Sequence, residues 1–221
     1  TYGYTYDHSL FIADFNVTVQ VMWDTLNQDG LIFGKTYTSS GVDYIMRAPS
    51  AGIDKASPLN NEWDTILTKA KQNVEDNTNR YIKNWKARPS WGQDTLLRGS
   101  NVGHPDRGSW SYADFFGAKD TAGATSCYRP VLELPLNLDR TALKAVALSL
   151  NGGHVGTEAS LQNISIIVKN GETFTAPAAE GLTRPDGLTD SYFTWLGSDG
   201  KLYAPGESAP ASVTSLAAQG T

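Results

Sequence analysis

Cys127 is the only cysteine in 221 residues. That excludes an intrachain disulfide, a cysteine-rich zinc site and a dithiol redox centre. The three histidines, His8, His104 and His154, stand far apart and without ligand spacing, so no metal and no cofactor is expected. A basic excess is missing too: 18 Lys and Arg face 23 Asp and Glu, for a formal net charge of −5. No strongly basic face follows, which argues against nucleic acid as a partner. No apolar run is long enough to span a bilayer, so membrane insertion is not expected. Phosphate-binding glycine loops, the dinucleotide fingerprint and the Gly-x-Ser-x-Gly elbow are all absent. Thr1 opens the chain with neither Met nor a signal-like apolar segment, which reads as a processed chain or a fragment.

What the chain has in quantity is Gly (21), Tyr (10) and Trp (6), with Ser, Thr and Asn between them. This is the profile of a loop-rich surface that presents aromatics. The length allows one large core, or a medium domain with a small appendage, and the texture changes near residue 140. Asn16-Val17-Thr18 and Asn163-Ile164-Ser165 match the glycosylation sequon, a pattern with meaning only in a eukaryotic secretory pathway.

Before that change, helix and strand signals mix. From Phe15 to Gly30, apolar residues at Val19, Met22, Trp23 and Leu26 follow one helical face, with Thr18 as N-cap and Gly30 as stop. Leu31–Arg47 reads as a hairpin turning at Ser40-Gly41. Asn60-Asn61 precedes a second helical pattern through Trp63, Ile66, Leu67, Ala70 and Val74. Arg88–Ala124 has little periodicity and carries Trp91, Trp110, Tyr112, Phe115 and Phe116; Tyr128–Leu134 returns as a strand, with Pro130 near its start. Later, Val146–Leu150, Ile164–Val168, Phe193–Leu196 and Lys201–Tyr203 are strand candidates. Asn151-Gly152-Gly153, Asn170-Gly171, Pro185-Asp186-Gly187 and Asp199-Gly200 supply turns.

Catalytic patterns are thin. Glu62 and Asp64 bracket Trp63 but project in different directions on a helix, and read as N-terminal acids favoured by the macrodipole. Cys127 precedes an apolar strand, where a buried inert thiol is the plain reading. An enzyme is not expected. The informative stretch is Arg88–Leu134, where core packing accounts for part of the aromatic set. Between the rings stand Asn101, His104, Asp106, Arg107 and Ser111, polar groups with directional donors and acceptors. Rigid rings interleaved with such groups make a recognition surface for protein, or for sugar stacked on an aromatic plane.

A series of motifs then occurs in order: Asp14-Phe-Asn-Val-Thr-Val-Gln-Val-Met-Trp23, Asp43-Tyr-Ile-Met-Arg-Ala-Pro49, Pro58-Leu-Asn-Asn-Glu-Trp-Asp64, Leu97-Arg-Gly-Ser100, Gly108-Ser-Trp110 and Tyr128-Arg-Pro-Val-Leu-Glu133. Over residues 10 to 138 it resembles bacterial and phage surface proteins with a C-type-lectin-like fold of the formylglycine-generating-enzyme type. The enzymes of that superfamily hold copper with two cysteines, and this chain has one, so their catalysis does not carry over. The calcium-dependent sugar signatures of animal C-type lectins are also absent. What the resemblance implies is a display scaffold, as in phage receptor-binding proteins and retroelement-variable proteins. Its ligand-binding residues would be Ser100, Asn101, His104, Asp106, Arg107, Trp110, Tyr112, Phe115 and Phe116.

The last part resembles the Listeria–Bacteroides surface repeat of β-grasp type. The likeness is carried by Val146-Ala-Leu-Ser-Leu-Asn-Gly-Gly153, Val168-Lys-Asn-Gly-Glu-Thr-Phe-Thr-Ala-Pro177, Phe193-Thr-Trp195, Tyr203-Ala-Pro-Gly206 and Ser215-Leu-Ala-Ala218. The resemblance makes Trp195 a core residue and the module a spacer. Together these readings give an α+β chain: a C-type-lectin-like domain with two helices over residues 1–138, then a small β-grasp-like module over residues 139–221. The function they imply is attachment to a host receptor, glycan or protein, on a virion or bacterial cell surface, beside other fibre or virion subunits. A structural component whose aromatic loop packs on neighbouring subunits is the alternative.

Overall fold

The computed structural model describes residues 9–13, 15–68, 88–97, 103–109, 111, 113–119, 125–135, 139–155, 163–178, 182–183 and 193–220. Its chain divides into two compact units, Thr1–Tyr37 with Ile45–Leu136, and Thr38–Tyr44 with Asn137–Thr221.

The first unit is built from short strands: β1 (Leu10–Ile12), β2 (Thr18–Val21), β3 (Lys35–Ser39), β4 (Val42–Arg47), β5 (Ser90–Trp91), β6 (Gly103–Arg107), β7 (Phe115–Lys119), β8 (Ser126–Tyr128) and β9 (Val131–Glu133). They form a four-stranded sheet in the order β1-β9-β4-β3 and a five-stranded sheet in the order β2-β8-β5-β6-β7. The tip of the β3–β4 hairpin counts with the second unit. Ser40 and Gly41 both take positive φ there, as a two-residue turn of the mirror-image type requires. Pro130, which has no N–H to give, separates β8 from β9, and its carbonyl accepts Ala13 N–H.

The sequence reading of two helices is overturned. Val17, Thr18, Val19 and Val21 are β-branched and favour strand, and Thr18–Val21 is extended rather than the start of a helix. Gln20 takes φ 55, and the pairing with β8 shifts register between Thr18 and Val21. Helix α1 runs only from Trp23 to Gln28, with Met22 in place of Thr18 as its N-cap. Gly30 does end it: at φ 76 its N–H bonds Asn27 O at 3.0 Å while Leu31 N–H bonds Leu26 O at 2.8 Å, the paired bonds of a Schellman stop.

The second expected helix is a short turn through Glu62 and Trp63, widened to π geometry over Asp64–Thr68. Asn61 caps it, its Oδ1 accepting Asp64 N–H at 2.9 Å. Ala70 and Val74 lie outside the described residues.

The second unit begins with a short 3₁₀ turn at Arg140–Ala142 and continues as strands. These are β10 (Leu143–Ser149), β11 (His154–Val155), β12 (Asn163–Lys169), β13 (Phe174–Thr175), β14 (Leu182–Thr183), β15 (Phe193–Gly197), β16 (Leu202–Tyr203), β17 (Ser208–Ala209) and β18 (Ser215–Gly220). The main sheet runs β12-β10-β18-β15-β16, and β11-β14 and β13-β17 are two-stranded ribbons. In β10, Val146 and Leu148 point inward while Ala145, Ala147 and Ser149 point out, the period of two that a half-buried strand demands. The core gathers Val146, Leu148, Val168, Phe174, Trp195, Tyr203 and Leu216. Trp195 is buried there, its Nε1–H donating to Pro177 O at 2.9 Å. The Pro185-Asp186-Gly187 turn lies outside the described residues.

The architecture is therefore mostly β, not α+β. The two-helix C-type-lectin-like domain followed by a β-grasp-like module does not describe it. Helical structure among the described residues is confined to α1, the turn at Asp64–Thr68 and the one at Arg140–Ala142. The apolar spacings that suggested longer helices draw part of their residues from strands.

Candidate recognition face and its interior support

The site expected from the sequence centres on β6 and β7, in the five-stranded sheet. Antiparallel register places Asp106 opposite both Trp91 of β5 and Phe116 of β7, and Arg107 opposite both Ser90 and Phe115. Cross-strand partners share a face and successive residues alternate, so Asp106, Trp91, Phe116 and His104 lie on one face. Arg107, Ser90 and Phe115 lie on the other.

The Arg107 face is interior. Arg107 is buried, and its guanidinium donates to Asp64 Oδ1 at 2.5 Å, Ala51 O at 2.6 Å and Asp114 O at 3.0 Å. It stacks 5.0 Å above the buried Phe115 ring and 6.0 Å from Trp63. Burial would raise the Asp64 carboxyl, but hydrogen bonds from Arg107, Asn61 and Thr68, with the Arg107 charge, hold it below the usual carboxylate range. On the other side of Trp63, Glu62 takes Arg47 in a fork at 2.6 and 2.8 Å and accepts Ser50 N–H at 2.8 Å. The two acids bracketing Trp63 thus diverge, each to its own arginine.

The Asp106 face is covered over much of its area. Trp23 of α1 stacks on His104 with ring centroids 3.4 Å apart and planes 3° from parallel. His104 Nδ1 lies 2.7 Å from Asp94 O, an acceptor only, which fixes the proton on Nδ1. Trp91 Nε1–H donates to Val21 O at 2.8 Å. Trp23 and Trp91 join Leu26, Ile32, Ala48 and Tyr128 in one core cluster. Burial pushes the Tyr128 phenol up, and its hydroxyl donates to Leu31 O at 2.7 Å.

His104, Asp106, Arg107 and Phe115 are therefore interior residues with internal contacts, so as placed they offer a ligand no surface. Burial explains it: each sits on a central or inward-facing position of the sheet. Ser100, Asn101, Trp110 and Tyr112 lie outside the described residues. Of the nine residues expected to bind ligand, Phe116 is the one that the described structure places in solvent, 43% exposed on edge strand β7.

Phe11, Phe15, Phe33 and Tyr37 are exposed rings too, and none of them was among the expected site residues. Phe33, 62% exposed, packs edge-on against Trp23 at 6.0 Å. Contacts thus run from Phe33 through Trp23 to His104, and two residues along β6 Asp106 stands opposite Phe116. The sequence signal for Phe33 was a large ring immediately before Gly34, in a turn after a helix stop. Exposed rings above a rigid interior give contact area with little entropy to lose.

Among the described residues, no three His, Cys, Asp or Glu side chains are grouped to hold a metal ion. Cys127 is buried, and burial pushes its thiol up, away from thiolate reactivity. Asn16 of the first sequon is also buried, its amide donating to Arg88 O and its oxygen accepting the Ser90 hydroxyl at 2.7 Å. Compared with protein-family models, with curated proteins and with solved structures, the chain matches none.

Proposed function

We propose that the chain is a non-enzymatic recognition module that attaches to a host or partner surface, glycan or protein, from a virion or bacterial cell surface. The observation that carries this reading is two of the solvent-exposed rings, Phe33 and Phe116, which are supported from below by the Trp23–His104 stack and the β6–β7 pairing. An aromatic plane accepts the apolar face of a pyranose or of an apolar side chain equally well. Two rings bind weakly, so attachment would depend on several copies acting together.

The test is binding of labelled, multimerised protein to a panel of intact bacterial cells, with and without periodate treatment. Strain-selective binding that periodate abolishes, and that Phe33→Ser with Phe116→Ser abolishes without loss of fold, supports a glycan receptor. Selective binding that resists periodate points to a protein receptor. Binding unchanged in the double variant rejects this face.

A structural role has one observation in its favour. Phe15, Val17, Val19 and Met22 are all exposed along and beside β2, an edge strand of the five-stranded sheet. An exposed apolar edge is suited to packing on a neighbouring subunit. Absence of binding to every strain, together with burial of this edge in an assembled particle, would favour that reading.

A further inference from the structure

We propose that Asp106 is a buried pH sensor: a carboxyl set inside the five-stranded sheet with one oxygen unpartnered, whose ionisation loosens β6 from its neighbours and unsettles the face that Phe116 presents. Asp106 is only 5% exposed. Its Oδ2 accepts the Ser126 hydroxyl at 2.7 Å, while its Oδ1 is buried with no hydrogen-bond partner. No ion pair among the described residues reaches it.

The contrast is Asp64, at which Arg107, Asn61 and Thr68 all direct donors. A carboxylate at the Asp106 position would be desolvated with the Ser126 hydroxyl and its own backbone N–H as its support, whereas a carboxylic acid gives up far less hydration on burial. Burial accordingly raises the Asp106 carboxyl, and hydrogen bonds from the Ser126 hydroxyl and from the residue's own backbone N–H offset part of that rise.

The surroundings offer the anion little else. β5 places Trp91 opposite it and β7 places Phe116 there. β8 brings Ser126 and the Cys127 thiol, whose own ionisation is opposed by burial and by an Asp106 charge. Arg88 and Arg129 act on that thiol, and Arg129 donates to Ala13 O at 2.8 Å. On β6 itself, Arg107 turns to the opposite face and to Asp64, and His104 is held against Asp94 O and Trp23.

The sign follows from the raised pKa. In the unfolded chain Asp106 releases its proton near the ordinary value of about 3.9. The folded protein holds the proton to higher pH. Stability is fully present below the unfolded value and falls as pH rises through the folded one, because the unfolded state there binds fewer protons. The Asp106 contribution to the sheet is therefore greatest in acid and is lost on the alkaline side.

Carbon NMR of the full chain, labelled at the aspartate carboxyls and titrated from about pH 3 to about pH 9, tests this directly. One aspartate should titrate well above the others, and Ser126→Ala should move that midpoint higher still. Asp106→Asn should delete the signal. Thermal midpoints give a second reading: Asp106→Asn should gain on the wild type by several degrees as pH rises. All aspartates titrating in the ordinary range would overturn the proposal, as would a difference between the two proteins that does not change with pH. Should Asp106→Asn fail to fold, the Ser126→Ala titration decides alone.

Discussion

Arg107 and Asp64 are joined by a two-pronged ion pair, with N···O separations of 2.5 and 3.3 Å. The same guanidinium serves the Ala51 and Asp114 carbonyls, so one side chain ties β6 to the Ala51 loop and to the turn after Asn61. Removing it takes the only cation from a carboxylate left with the Asn61 and Thr68 donors, and strips a donor from the Ala51, Ala113 and Asp114 carbonyls. Arg107→Ala should therefore cost about 3–5 kcal/mol in urea unfolding. Arg107→Lys should recover little, since an ammonium cannot reproduce the planar fork. Asp64→Asn should cost less, about 1–3 kcal/mol, because the Asp64 side chain is 27% exposed and water reaches the site. An Arg107→Ala protein as stable as wild type would show that the pair does not hold this unit together.

The same pair sets an acid limit. The Asp64 carboxyl is held low in the folded protein, so its contribution to stability is fully present above the ordinary carboxyl value. It is lost as pH falls through the lowered, folded one. Asp64→Asn should flatten the decline of the melting temperature on the acid side and leave its alkaline side unchanged. Melting curves from about pH 2 to about pH 8 check this, and an acid decline of the same depth in Asp64→Asn would refute it.

How much of this was legible in the sequence depends on what each signal measures. Turns were readable because Gly, Asn and Ser are selected for backbone conformations that other residues avoid. The Gly30 stop and the Ser40-Gly41 turn stand where the sequence put them. The Asn60-Asn61 pair was readable as the start of a helical turn for the same local reason, and Asn61 is the residue that caps it. Helix length was not readable, because Val19, Met22, Trp23 and Leu26 fit a helical face while the β-branched run through Thr18–Val21 pairs with β8. Site residues failed for a different reason. Periodicity and composition cannot distinguish a polar side chain that faces solvent from one buried against tertiary partners. His104, Asp106 and Arg107 find theirs in Asp94, Ser126 and Asp64, between 10 and 43 residues away along the chain. Phe33 was missed because exposure is decided by what α1 and Gly34 leave uncovered.

The second arginine cluster predicts an order of effects. Arg47 meets Glu62 through two hydrogen bonds, at 2.6 and 2.8 Å, and meets Glu133 through one at 3.1 Å. Glu62 also holds Ser50 N–H, and the Ser50 hydroxyl accepts Glu62 N–H in return. Glu62→Gln should therefore destabilise more than Glu133→Gln. The double variant, which leaves a mostly buried guanidinium without a counter-ion, should cost more than the sum of the two. Chemical denaturation of the three variants gives the comparison, and equal single effects would remove Glu62 from its leading place.

Gly92 is required for closeness, not for φ. A Cβ there would lie 2.3 Å from Ala51 Cβ and 3.2 Å from Pro105 Cγ. The backbone cannot retreat without loss, because Gly92 N–H donates to Pro105 O at 2.8 Å and its carbonyl accepts Trp23 Nε1–H at 3.0 Å. Gly92→Ala should accordingly cost at least about 1–3 kcal/mol by overpacking, and should disturb Trp23 fluorescence. Gly171 provides the control: its φ is +79 and nothing lies within 4 Å of a Cβ placed there, so Gly171→Ala carries backbone strain of about 1–2 kcal/mol alone. The two causes separate in a double-mutant cycle. Ala51→Gly should restore much of what Gly92→Ala loses, since it removes the atom that is struck, and should do nothing for Gly171→Ala. Additive effects of Ala51→Gly and Gly92→Ala would mean that the close approach of these two residues is not what the glycine permits.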